Sequence, residues 1–217
     1  MVRKIIAWAW LLMAACLQPR SAIAQELDQQ RFRDVKSAIS QVDAPIIVFG
    51  DSIVQGAALP TSQCGHPLVN AGVTGAGIEY FQRHAIELLG ASHPTLIVLA
   101  VGINNAWNDN DTSRLRSFRQ TYRATVGVLA KIAPVAVTTI TPIRPGALAS
   151  SYNPSLVPEL NTVIRTAPKR VAVFDVTKPL SAQNFTSDGI HLTRDGSTLW
   201  TRTLQNGIGR VLGCVTR

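Results

Sequence analysis

Three residue types in this chain could carry out acyl transfer together: a serine, a histidine and an aspartate, each beside a turn. Ser52 lies in Val48-Phe49-Gly50-Asp51-Ser52-Ile53-Val54-Gln55-Gly56. An apolar run, Pro45-Ile46-Ile47-Val48-Phe49, precedes it and reads as a short buried strand. Gly-Asp-Ser then combines turn formation with helix capping. Ser52 is therefore expected at the carboxyl end of a central strand, where open α/β sheets bind ligands. A serine hydroxyl is a weak nucleophile without a base, an orienting acid and donors for the oxyanion. Ser187-Asp188-Gly189-Ile190-His191 offers the first two. The neutral imidazole of His191 titrates nearest the working pH. Asp188, three residues earlier, reaches the same ring if the segment turns tightly, and would fix its tautomer.

Two further turns offer donors. Gly72, in Asn70-Ala71-Gly72-Val73-Thr74-Gly75, has no side chain to block its backbone N–H, although ordinary turn geometry would also explain it. Asn104, in Gly102-Ile103-Asn104-Asn105, can aim a side-chain amide, or serve local turn hydrogen bonds. With the Ser52 N–H these would form a three-donor oxyanion hole. Trp107, just after the Asn104 turn, is a candidate wall of the substrate pocket. Asp51 reads as a hydrogen-bond partner of the serine turn rather than a proton carrier. Tyr152 and Arg144 belong to a long Pro-rich loop that could border the site.

These residues need elements that bring them to one edge. Strands are expected at 45–49, 68–70, 96–101, 135–140 and 171–175. Leu96 to Val101 has no polar alternation, as a strand buried on both faces should not. Helices are expected at 26–40, 78–89, from Thr112 or Ser113 to about Ile132, from Leu156 with Pro158 in its first turn, and near the C-terminus through Trp200, Leu204, Ile208 and Val211. Five strands alternating with helices imply a parallel sheet covered on both faces, in one three-layer domain spanning 25–217. Ser52, Gly72, Asn104 and the Asp188/His191 pair fall after the first, second, third and fifth strands. In a parallel sheet those ends share one rim.

Composition supports a globular reading. The chain has 217 residues, of which 46% are hydrophobic, too many for a disordered chain. Its net charge is +8, and +5 once Arg3, Lys4 and Arg20 are set aside. The remaining basic residues are interleaved with acids and apolar residues, which argues against nucleic-acid binding. The first 24 residues resemble a secretion signal: basic Arg3 and Lys4, an apolar run from Ile5 to Leu17, and the small-residue pattern Ala22-Ile23-Ala24. The run is short for a bilayer span. Export to the periplasm or beyond is expected, with no membrane span left after cleavage. Lipidation at Cys16 is the minor alternative. Cleavage after Ala24 leaves Cys64 and Cys214, expected as one disulfide in preference to two buried thiols. Cys64-Gly65-His66 is a poor metal pattern on its own, and no metal is expected. His84 and His93 read as surface or packing residues.

Taken in order, the four motifs resemble the SGNH hydrolase superfamily, the GDSL-type esterases and lipases. Gly50-Asp51-Ser52 matches the opening motif, with Ile53 in place of leucine. Gly72, Asn104 and His191 match the remaining name-giving residues, and Asp188 matches the acid of Asp-x-x-His. Asn105 stands where Asp is common. The resemblance spans Ile46 to about Trp200. It implies a flavodoxin-like five-stranded parallel sheet and a serine hydrolase needing no metal or organic cofactor. Ser52 would attack an ester carbonyl, with His191 as base and then acid, Asp188 as orienter, and Ser52 N–H, Gly72 N–H and Asn104 holding the oxyanion. Small acyl esters are the implied substrates: an acetylated carbohydrate, a lysophospholipid or a thioester. A non-catalytic carbohydrate-binding domain on the same fold is the alternative. A flavin or nucleotide binder ranks lower, because the first turn has no Gly-x-Gly-x-x-Gly or Lys-Ser/Thr pair.

Overall fold

Strand β1, Ile46–Gly50, is buried at all five positions and lies inside the sheet, as its unbroken apolar run demands. In the computed structural model, which describes residues 19–108 and 113–214, it pairs in parallel with β3 (His66–Gly72) on one side and β4 (Leu96–Ala100) on the other. The register aligns Gly50 with Gly72 and with Ala100. Three chain segments therefore leave the sheet level with one another, which is the rim the sequence required. The order is β2-β3-β1-β4-β5-β6, with β5 at Val135–Thr138 and β6 at Ala172–Phe174.

The sheet has six strands where five were expected. The extra one is β2, Ser62–Gln63, antiparallel to β3 at the edge. Two polar residues carry no periodicity, so no sequence pattern marks them. The turn joining β2 to β3 is Cys64-Gly65, with φ of 54° and 81°. Two-residue hairpin turns favour positive φ because it matches the strand twist. The turn also aims Cys64 at Cys214. The two are joined as expected, across a Cα–Cα distance of 5.7 Å.

Helices cover both faces. Helix α1 (Pro19–Ser40) begins upstream of the expected Glu26. Most of the expected signal segment, with Cys16, lies outside the described residues. Helix α2 is the single turn Ser52–Gln55, followed by α3 (Ile78–Leu89), α4 (Arg114–Leu129) and α5 (Leu156–Arg165). A second single turn, α6 (Thr177–Leu180), and the long α7 (Arg194–Leu212) complete the set. Alternate strand residues feed separate cores. Ile47, Phe49, Ile97 and Leu99 pack with Phe81, Phe118 and Tyr122. Ile46, Val48 and Val98 pack with Trp200, Leu204 and Ile208. Each such side chain contributes about 1.5–3 kcal/mol on burial, and truncating Trp200 to alanine would cost about 3–5 kcal/mol. No helix among the described residues is long and apolar enough to cross a membrane.

Candidate active site

Ser52 opens α2 directly after β1. Asp51 is its N-cap: extended in backbone, its Oδ1 accepts the Ile53 N–H at 2.9 Å. This aspartate is buried, which raises its pKa to about 7 against the opposing pull of the Ile53 N–H and of His191. Asp51 is thus the structural partner of the turn that the sequence implied.

Ser52 Oγ lies 3.0 Å from His191 Nε2, across 139 residues of chain. His191 Nδ1 lies 2.6 Å from Asp188 Oδ2. Asp188 Oδ1 accepts the N–H groups of Ile190 (3.0 Å) and His191 (2.8 Å), so its carboxylate is fixed in a tight turn. Burial raises the Asp188 pKa, but the His191 ring and these two N–H groups outweigh it and hold the carboxyl below its usual value. An ionised Asp188 accepts from Nδ1–H and leaves Nε2 with its lone pair toward Ser52. The turn is closed by Ser187 N–H to His191 O at 2.8 Å and by an isolated bridge between Thr186 and Leu192.

The donor side differs from expectation at one point. The Gly72 N–H donates to Asn70 Oδ1 at 3.0 Å, so it is already engaged. Asn70 Nδ2 in turn donates to Val54 O at 2.7 Å, tying the end of β3 to α2. Glycine at 72 has a packing cause: an added Cβ would lie 2.2 Å from Gln55 N. Arg31 on α1 reinforces the same turn, donating from Nε to Gly72 O (2.7 Å) and from Nη2 to Asn70 O (2.9 Å). Neither Arg31 nor Asn70 stood out in the sequence. Arg31 read as part of a polar helix face, and Asn70 as a strand end.

Asn104 sits after β4 in the 3-10 turn Ile103–Ala106. Its Nδ2 donates to Ala76 O at 3.1 Å, leaving a second N–H, while its Oδ1 accepts the Tyr152 hydroxyl at 3.2 Å. Asn105 is buried and caps α3: its Oδ1 accepts Ile78 N–H at 3.0 Å and its Nδ2 donates to Glu79 Oε2 at 2.8 Å. An aspartate there could not make the second bond. Trp107 is 45% exposed, its indole edge-on to Tyr152 with ring centroids 5.1 Å apart. A cleft of about 960 Å³ opens beside Asn104 and runs past Thr74, Gly75 and Ala76 to Arg31 and Tyr80. His66 hydrogen-bonds Ala44 O and Thr95 at 3.1 Å each, and its neighbour Cys64 is in the disulfide. His84 packs between Phe32 and Tyr80.

The profile of the GDSL-like lipase/acylhydrolase family matches residues 48–199. The chain belongs to that family. This GDSL acylhydrolase is accordingly a hydrolase acting on ester bonds. No curated protein matches the chain. Among solved structures, one from Streptococcus pneumonia described as a platelet activating factor is 19% identical, covering 89% of this chain and 98% of its own, with a TM-score of 0.74. A lipase/acylhydrolase from Enterococcus faecalis is 18% identical, with coverages of 78% and 96% and a TM-score of 0.64. The acetyl xylan esterase Axe2 from Geobacillus stearothermophilus is 14% identical, with coverages of 81% and 98% and a TM-score of 0.62. At such identities the likeness establishes the three-layer fold alone.

Proposed function

We propose that this GDSL acylhydrolase is a serine esterase that cleaves small acyl esters, acetylated carbohydrate foremost, through an acyl-enzyme on Ser52. The observation that carries the reading is the hydrogen-bonded chain Ser52–His191–Asp188, at 3.0 and 2.6 Å. His191 Nε2 takes the Ser52 proton as Oγ bonds to the ester carbonyl carbon. The carbonyl π electrons move onto oxygen. Asp188 stabilises the imidazolium that forms. Collapse of the tetrahedral intermediate breaks the bond to the alcohol oxygen, and His191 returns the proton to that leaving group. Water, deprotonated by His191, then attacks the acyl-enzyme and frees the acid and Ser52.

The oxyanion is held in this reading by Ser52 N–H and by the Asn104 N–H not used by Ala76. The third donor is a choice between two glycines. Gly72 N–H is engaged with Asn70. Gly75, at φ 77°, lines the cleft with Asn104, and its N–H takes that role. Each donor contributes about 3–4 kcal/mol to the transition state.

A carbohydrate substrate is supported by the exposed Trp107 indole three residues from Asn104, since aromatic faces pack against the C–H face of a sugar ring. The acetyl xylan esterase among the structural relatives points the same way. Export fits the Cys64–Cys214 bridge, because disulfides persist in oxidising compartments. The test is labelling with a fluorophosphonate followed by hydrolysis of short acyl esters and acetylated xylo-oligosaccharides. Wild type should label and hydrolyse, and folded Ser52→Ala should do neither. Unlabelled, inactive wild type would overturn the esterase reading. Preference for long-chain esters over acetylated glycan would overturn the substrate class.

A further inference from the structure

The segment between β5 and α5, residues 139–155, touches both arms of the site. On one side its backbone meets the acid–base turn. Arg144 N–H donates to Gly189 O and Leu148 N–H to Asp188 O, both at 2.9 Å. Gly146 presses so close that an added Cβ would lie 2.2 Å from the Asp188 carbonyl carbon. On the other side it meets the donor turn. Tyr152 bridges to Trp107, Asn108 N–H donates to Ser151 O at 2.9 Å, and Asn153 N–H donates to Ala106 O at 2.7 Å. Tyr152 itself is buried, and its hydroxyl reaches Asn104 Oδ1 at 3.2 Å.

We propose that Tyr152 is a positioning residue: its hydroxyl, hydrogen-bonded to Asn104 Oδ1, fixes the torsion of an amide whose polarity Ala76 O sets, and so aims the remaining N–H at the developing oxyanion. The inference rests on the serine-esterase reading above. A primary amide is nearly symmetric in shape and opposite in polarity at its two ends. Rotated, Asn104 would set Oδ1 against the negative oxygen it should stabilise. Ala76 O accepts from Nδ2 and specifies one end. Tyr152, whose hydroxyl both donates and accepts, does not choose the polarity; it bonds Oδ1 and fixes the torsion of the amide once Ala76 O has set which end is which. Burial, with the carboxylates of Asp51 and Asp188, holds the Tyr152 pKa above its usual value, so the donor persists at alkaline pH. The loop carrying Tyr152 also braces Asp188, so the oxyanion donor and the acid–base pair are set by one segment.

The test compares wild type, Tyr152→Phe, Asn104→Ala and the double variant, with steady-state kinetics on a short acyl ester and a thermal melt of each. Tyr152→Phe keeps the ring and its contact with Trp107 and removes only the hydroxyl. It should lower kcat about tenfold with KM within about twofold, because the lost interaction acts on the transition state. Asn104→Ala should lower kcat by about 10²–10³-fold. In that background Tyr152→Phe should change kcat by less than about twofold, the signature of two residues acting through one group. An unchanged kcat in Tyr152→Phe would overturn the proposal. So would a tenfold loss that persists in the Asn104→Ala background, which would place the hydroxyl's effect elsewhere. Hydrolysis retained by Ser52→Ala would instead remove the esterase reading itself, so the two failures are distinguishable.

Discussion

Replacing Asp51 with asparagine removes one ionisable group while keeping the oxygen that caps α2. Oδ1 still accepts the Ile53 N–H, so the serine turn keeps its geometry. What changes is proton linkage. Burial lifts the Asp51 pKa from 3.8 to about 7 in the folded protein. Between about pH 4 and 7 the folded state therefore binds more protons than the unfolded state. The group's contribution is fully present below pH 4 and is lost as pH rises through 7. A shift of about three units at about 1.4 kcal/mol each amounts to ~4 kcal/mol. Wild type should become less stable by up to that amount between pH 4 and 8, through Asp51 alone. The asparagine variant should lack this component. Asp188 works in the opposite sense, its stabilisation present above about pH 4 and lost as pH falls through its lowered pKa, but both proteins share it and it cancels in the difference. The assay is urea unfolding followed by tryptophan fluorescence at several pH values from 4 to 8. Parallel curves, with a difference between the proteins that stays constant within about 0.5 kcal/mol of its pH 4 value, would refute the assignment of a buried, proton-holding carboxyl.

Reducing the Cys64–Cys214 bridge should lower stability by about 2–5 kcal/mol, because it closes a loop of 150 residues in the unfolded chain. For a domain of this size that is a drop of roughly 5–15 °C in Tm, checked by melts with and without reductant; identical melts would show that the bridge is absent. Gly207→Ala should destabilise by about 1–3 kcal/mol with kcat unchanged, since its Cβ would lie 2.5 Å from the Phe174 ring on the face opposite the cleft wall formed by α3. Urea midpoints and ester hydrolysis measured on the same preparation separate the two quantities.

The parts of this protein that local pattern could specify were specified there. Leu96 to Ala100 has no polar residue, and only a strand covered on both faces accommodates that. Pro158 falls in the first turn of α5, where its missing N–H costs nothing. Ser52 was legible because it couples a reactive side chain to a turn at a strand end, and Asp188 and His191 because their spacing puts both on one tight turn. Strand β2 was not, since Ser62 and Gln63 pair only because Cys64 and Gly65 fold the chain back onto β3. Gly72 shows the limit at the site. Its residue type was informative, but whether its N–H was available depended on Asn70 folding back over it. The contacts of Arg31 with Gly72 O and of Tyr152 with Asn104 span 41 and 48 residues, and neither residue differs in local pattern from a solvated one.

Residue order and hydrophobic period were thus enough to determine a parallel α/β sheet and which strand ends bear reactive groups, because both depend on near neighbours along the chain. Which donors are free, and which side chains hold others in place, was decided only once the register had set Gly50, Gly72 and Ala100 level. A hydrogen bond forms between groups about 3 Å apart in space, and separation along the chain does not enter into it.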